Sequence, residues 1–115
     1  MAAARIAELD LLGNSATTSN VPVSMGMEDH ASMGATGAFR AMQSTVLLSQ
    51  VLANEMVCSA EAIGRIDEDA GSGVIKIVTW VRQYVEPFQG DKSMTAECES
   101  LSRHLLDGGM SGVFE

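Results

Sequence analysis

Apolar side chains recur at Ile6, Leu9 and Leu12 with Arg5, Glu8 and Asp10 between them, the spacing that lines one face of a helix. Gly13-Asn14 supplies a stop, so a short helix over residues 1–13 is predicted. Residues 15–27 carry no such period. They are rich in Ser, Thr and Asn, with Pro22 and Gly26 as breakers, and the whole of 14–31 reads as an irregular loop. Structureless stretches of that length in a small chain are often functional.

A second helix is predicted over residues 32–67, at ~1.5 Å per residue roughly 50 Å long, more than the width of a globule this size. Phe39, Met42, Val46, Leu48, Val51, Leu52, Met56, Val57 and Ile63 cover more than one stripe of it, and Arg40, Glu55 and Glu61 are the only charges between Ala38 and Ala62. A helix apolar nearly all round is expected to be buried on nearly all sides. An acidic, Gly-rich break at 68–73 follows. Ile77, Val78, Val81 and Val85, with Trp80 and Tyr84, fit a helical face better than a strand despite their β-branched content. Pro87 ends that element, and a last helix from Thr95 to Leu106 places Glu97 and Glu99 early and Arg103 and His104 late, the order a helix dipole favours. Both lie in a C-terminal helical region, 74–107. Gly108-Gly109 stops the chain and leaves a flexible tail over 110–115. The predicted class is all-α, one long central helix with shorter ones, in a single segment of 115 residues.

Composition sharpens this picture. Hydrophobic residues make up 46% of the chain and aromatic ones 4%, so the apolar content is aliphatic and suited to helix packing with partners. Seven Lys and Arg stand against 15 Asp and Glu, net charge -8, with no basic run to neutralise phosphates, which excludes nucleic acid as an expected partner. Cys58 and Cys98 have no Cys-x-x-Cys spacing and fit reduced thiols. The opening apolar run is broken by Arg5 and Glu8, unlike a secretory signal, and the chain is expected to be cytoplasmic. The longest uncharged run, residues 41–54, falls short of the ~20 apolar residues of a membrane span, so no membrane partner is expected.

Acid, base and hydroxyl groups crowd together only at Met27-Glu28-Asp29-His30-Ala31-Ser32-Met33-Gly34. By residue type alone this fits an ordinary helix start, with Asp29 or Ser32 capping the first turn. Glu28 and His30 lack the i, i+4 spacing of a chelating pair, and the other histidine is His104, so a metal site is not supported. Ser32 is in no Gly-x-Ser-x-Gly elbow, so a serine nucleophile is not supported either.

That octet resembles the Gln-Glu-Asp-His-Val-Ser-Met-Gly signature of histidine ammonia-lyases and their tyrosine-specific relatives, the aromatic amino-acid ammonia-lyases. The string Ala16-Thr17-Thr18-Ser19-Asn20-Val21-Pro22-Val23-Ser24 is similar to the family's Pro-Ala-Ser-x-Asp-Ser-Ile-Pro-Thr-Ser. Residues 48–61, Val81-Arg82, Gly90-Asp91-Lys92 and 105–109 also resemble its C-terminal pattern. The resemblance implies the last fifth of a lyase, with 14–31 as an active-site loop. Glu28 matches the active-site glutamate that meets the substrate's imidazole or ammonium group and handles a proton. Asp29, His30 and Ser32 match positions that support the loop and the helix start. Met27 stands where the family usually has Gln, and Ala31 where it has Val, which leaves the substrate open among histidine, tyrosine and phenylalanine.

The resemblance further implies a methylidene-imidazolone electrophile made from Ala-Ser-Gly. No such tripeptide occurs here, the nearest strings being Gly71-Ser72-Gly73 and Met110-Ser111-Gly112. It implies too that the catalytic tyrosine and the Arg that holds the substrate carboxylate lie in earlier sequence, so that this chain works only with the remainder of the lyase or a split subunit, in a homotetramer. The implied reaction is elimination of ammonia to an arylacrylate, urocanate for histidine. A 2,3-aminomutase of the same family and a non-catalytic helical oligomerisation module are the alternatives.

Overall fold

A computed structural model describes residues 2–66 and 70–115. They form four helices, α1 (Ala2–Leu12), α2 (Gly34–Ile63), α3 (Ser72–Val81) and α4 (Thr95–Leu106), with two short 3-10 turns between α1 and α2. Among the described residues there is no strand, and pairing is limited to an isolated Pro22–His30 bridge. The fold is all-α.

The 30-residue α2 is the axis of the molecule. α1 lies along its N-terminal half, and α3 and α4 pack on its C-terminal half. Ser49, Ala53, Val57 and Ala60 recur every three to four positions along α2 and form its buried stripe. Ala53 and Ala60 are small enough to let neighbours approach, and with Trp80, Val81, Val85, Cys98 and Leu101 they make the core. Val85 lies just past α3 yet is fully buried, because its N–H still donates to the Val81 carbonyl at 3.0 Å and continues the turn.

Burial of α2 nearly all round is not met within this chain. Phe39 and Met42 are 62% and 70% exposed, and Val46, Leu48 and Leu52 are exposed too. The helix starts at Gly34 rather than 32, with Met33 at the cap position and no side-chain cap, so neither Asp29 nor Ser32 plays the expected capping role. It ends at Ile63, where Gly64 closes the last turn. Met1 and the predicted end of this helix at Asp67, with Glu68 and Asp69 of the break, lie outside the described residues. α3 begins at Ser72, inside the predicted break.

The tail is also more ordered than expected. Gly108 adopts φ +76°, its N–H donates to the Leu105 carbonyl at 3.2 Å, and the Gly109 N–H reaches the His104 carbonyl at 2.8 Å. This pair of bonds is a Schellman ending. It turns the chain back so that Met110 and Val113 pack on the core.

By length and composition α2 is long and apolar enough to cross a membrane. The expectation from the uncharged run 41–54 understated it, because few charges flank that run. The same helix carries the buried stripe against α3 and α4.

Candidate functional site

The segment between α1 and α2 is built from short-range bonds that fold it into a braced loop. Gly13 and Asn14 close α1 through Leu9 and Leu11, and the Arg40 guanidinium of α2 donates to the Asn14 carbonyl at 2.6 Å, fixing where the loop departs. Thr18 Oγ1 donates to the Ser15 carbonyl within the first 3-10 turn. From there the chain goes out through Pro22 and returns through His30, and these two residues pair as an antiparallel bridge. One step further in, Asn20 Nδ2 donates to the Ala31 carbonyl at 2.6 Å and clasps the base of the loop. The other side-chain atom of Asn20, Oδ1, is buried without a partner.

The tip is tight. Ser24, Met25 and Gly26 all take positive φ, 52°, 56° and 83°. Left-handed backbone costs a non-glycine residue roughly 1–2 kcal/mol, so Ser24 and Met25 are held there by their surroundings. The Val23 carbonyl accepts from the N–H groups of Gly26 at 3.1 Å and Glu28 at 3.4 Å, and the Ser24 carbonyl accepts from Met27 at 3.1 Å. These bonds reverse the chain immediately before Glu28.

Met27, Glu28, Asp29, His30 and Ser32 therefore come together on one exposed loop leading into α2. Asp29 Oδ1 accepts from the His30 backbone N–H at 2.8 Å, and Ser32 Oγ accepts from the Gly34 N–H at 3.3 Å, so both acidic and hydroxyl neighbours serve the local backbone. Met27 is 88% exposed. Among the described residues the Glu28 carboxylate takes no hydrogen bond and no ion pair. It is presented to whatever meets the loop, as an acceptor for a cation or an N–H donor.

Asn20 and Arg40 are the structural supports that residue-type reasoning passed over. Asn20 stood only within a Ser-, Thr- and Asn-rich string that resembles the family, and Arg40 only as a rare charge on an apolar helix. Among the described residues no three His, Cys, Asp or Glu side chains come together as a metal-binding group. No Ala-Ser-Gly is present, so the residues of this chain do not form a methylidene-imidazolone. A groove of about 430 Å³ lined by Lys76, Trp80, Gln83, Tyr84 and Gly109 lies at the opposite end from the loop. There Tyr84 stacks on His104 with ring centroids 4.2 Å apart and meets Trp80 edge-on at 5.2 Å, an arrangement that serves packing of α3 on α4.

Comparison with known proteins places this loop in a family. The chain is 30% identical over 115 residues to a histidine ammonia-lyase of Natranaerobius thermophilus, covering 99% of the chain and 23% of that protein. It is 29% identical over 115 residues to one of Symbiobacterium thermophilum, covering 99% of the chain and 23% of that protein. With one of Myxococcus xanthus it shares 32% over 108 residues, 93% of the chain and 21% of that protein. The chain thus spans under a quarter of the length of these relatives. A family model described as aromatic amino acid lyase matches residues 1–83, which take in α1, the braced loop with Glu28, all of α2 and α3. With most of its length inside that match, the chain belongs to the aromatic amino acid lyase family.

Proposed function

We propose that this chain is the C-terminal portion of an ammonia-lyase acting on an aromatic L-amino acid, with histidine the first candidate, and that Glu28 is its contribution to the active site. The observation that carries this reading is the carboxylate of Glu28, unpaired within the described residues and held at a strained, clasped turn inside the segment that matches the family. The remainder of the lyase, as a longer chain or a separate subunit, covers the loop and excludes water. Exclusion of water strengthens every electrostatic interaction the carboxylate then makes with the substrate's ammonium or imidazole group. Held there, Glu28 binds the substrate and takes or returns a proton at a carboxylate oxygen. Asp29, His30 and Ser32 support it, Asp29 and Ser32 through the backbone bonds that fix the return of the loop into α2.

The methylidene-imidazolone of such enzymes supplies an electrophile for the departing amine. In this proposal it comes from sequence outside these residues. The assembly is a homotetramer, with the exposed apolar side chains of α2 covered by protein rather than lipid. A cytoplasmic setting fits the two free thiols.

The test is to purify the chain with a lyase portion bearing Ala-Ser-Gly and the catalytic tyrosine, and to follow arylacrylate formation from L-histidine, L-tyrosine and L-phenylalanine by ultraviolet absorbance. Activity that needs both parts, and falls by about 100-fold or more in Glu28→Ala, is expected from loss of one acid-base group. A stable complex silent on all three substrates would contradict the lyase reading in favour of an aminomutase or a non-catalytic helical oligomerisation module. The bare apolar face of α2 is the observation that favours the module.

A further inference from the structure

The two cysteines lie 40 positions apart in sequence, on different helices, and nothing in the loop chemistry uses them. Cys58 is exposed on α2, one position past the buried Val57, while Cys98 is buried on α4 in the core cluster. Both line the same cleft of about 350 Å³, which Asn54, Glu61, Phe88 and Met94 complete. α2 and α4 pack directly on each other there, with Ala53 and Ala60 of α2 fully buried at the interface level. Helices in contact run ~8–10 Å between axes with Cα atoms ~2.3 Å from each axis, so facing Cα atoms lie about 3–5 Å apart and flanking ones somewhat further. That interval overlaps the ~4.4–6.8 Å a disulfide requires.

We infer that Cys58 and Cys98 are a dithiol pair across the α2–α4 interface, a modification site that a peroxide closes as an intrachain disulfide. Cys58, open to solvent, is the attacking thiol. Its thiolate displaces hydroxide from hydrogen peroxide and becomes a sulfenic acid, and Cys98 then attacks that sulfur, forming the S–S bond and releasing water. Two thiols are oxidised and one peroxide is reduced to two waters. The order follows from environment. Burial first, then the neighbouring Cys58 and Glu97 charges, raise the Cys98 thiol above its ordinary range, which makes it the resolving group. The closed bridge would lock the C-terminal half of α2 to α4, the helix pair that carries Val57, Ala60 and Leu101 of the core.

The test treats the full 115-residue chain with hydrogen peroxide in buffer and, in parallel, in concentrated urea, and reads intact mass, free thiols and the cross-linked peptide after proteolysis. The expected result is loss of two hydrogens from the monomer, disappearance of both thiols and a Cys58–Cys98 peptide. Because folding supplies the proximity, closure should be about tenfold or more faster in buffer than in urea. Cys98→Ser should stop at a sulfenic acid on Cys58 that a dimedone probe traps, and Cys58→Ser should leave Cys98 reduced. The inference is overturned if Cys58 forms only intermolecular dimers or over-oxidised acids while Cys98 stays free. Equal closure rates in buffer and urea, or two thiols that survive in wild type, overturn it as well.

Discussion

Glu61 accepts from the Arg82 guanidinium at 2.7 Å and from the Phe88 N–H at 3.1 Å, so its carboxylate joins α2 to the segment that follows α3. The Arg82 hydrogen bond is the main reason its pKa lies below the ordinary glutamate value, with the Phe88 N–H and the Arg82 and Arg65 charges adding to it against a partial burial effect. A depressed folded-state value means that the stabilisation is present above the unfolded value and is lost as pH falls through the folded one. Thermal melts in the acid range, below about pH 4, should therefore show the midpoint of wild type dropping with pH more steeply than that of Glu61→Gln. Parallel curves would show that the pair contributes nothing. Glu28 is the opposite case, since its surroundings support the backbone and leave the carboxylate open. That contrast was not legible from residue types, which made Glu61 a rare charge on an apolar helix and Glu28 an acid ahead of a helix start. The resemblance of residues 27–34 singled out Glu28, but the positive φ at Ser24 and Met25 and the Asn20 clasp depend on backbone geometry that no spacing rule conveys.

Helix ends illustrate which local signals dominate. α1 and α4 run over Ala2–Leu12 and Thr95–Leu106, as their periodicity and the Gly13 and Gly108-Gly109 stops predicted. The start of α2 did not follow its apparent caps, because Asp29, five residues ahead of Gly34 in the loop, is spent on the N–H of His30, and Ser32, which accepts from the Gly34 N–H, lies one residue before the cap position that Met33 fills. Val74, Ile75, Ile77 and Val78 had the composition of a strand and form a helix. A lone strand here would have left its ladder bonds unpaired, whereas the helix satisfies them internally and buries Trp80 and Val81. The expected loose tail failed for a reason that can be tested. A Cβ on Gly109 would lie 2.8 Å from the His104 carbonyl oxygen, which the Schellman bond to Gly109 holds in place, and 3.5 Å from the Trp80 ring. Gly109→Ala should cost about 1–3 kcal/mol in urea unfolding, the range for forcing atoms into a packed site. Gly112→Ala, with open space around its Cβ, serves as the matched control and should change stability by less than about 0.5 kcal/mol. Equal effects at the two positions would mean that the tail does not dock.

The whole molecule is shaped like a piece that expects company. Its radius of gyration is 19.8 Å and its extents are 69 × 35 × 22 Å, whereas a compact domain of this length would have a radius near 13 Å. Its accessible surface is 7995 Å², against roughly 6,000 Å² for a folded monomer of the same mass. The excess follows from α2, whose C-terminal half is packed by α3 and α4 while Phe39, Met42 and Val46 on the N-terminal half stay open beyond what α1 covers. Apolar surface of that kind is driven out of water by association at about 25 cal/mol per Å². The isolated chain should accordingly show a sedimentation coefficient that rises with concentration, at a net charge of -8 that opposes nonspecific aggregation. Replacing Phe39 and Met42 together by Ser should weaken that association by about tenfold or more, because each removes a largely exposed apolar side chain, 62% and 70% exposed in the chain alone. The helical circular dichroism should be retained, since neither side chain belongs to the core cluster. A wild-type chain that stays monomeric at every concentration would mean that α2 is covered only by the remainder of a lyase and not by copies of itself. An unchanged association constant in the double variant would place the contact on another surface, and the exposed face of α2 would then have no part in assembly.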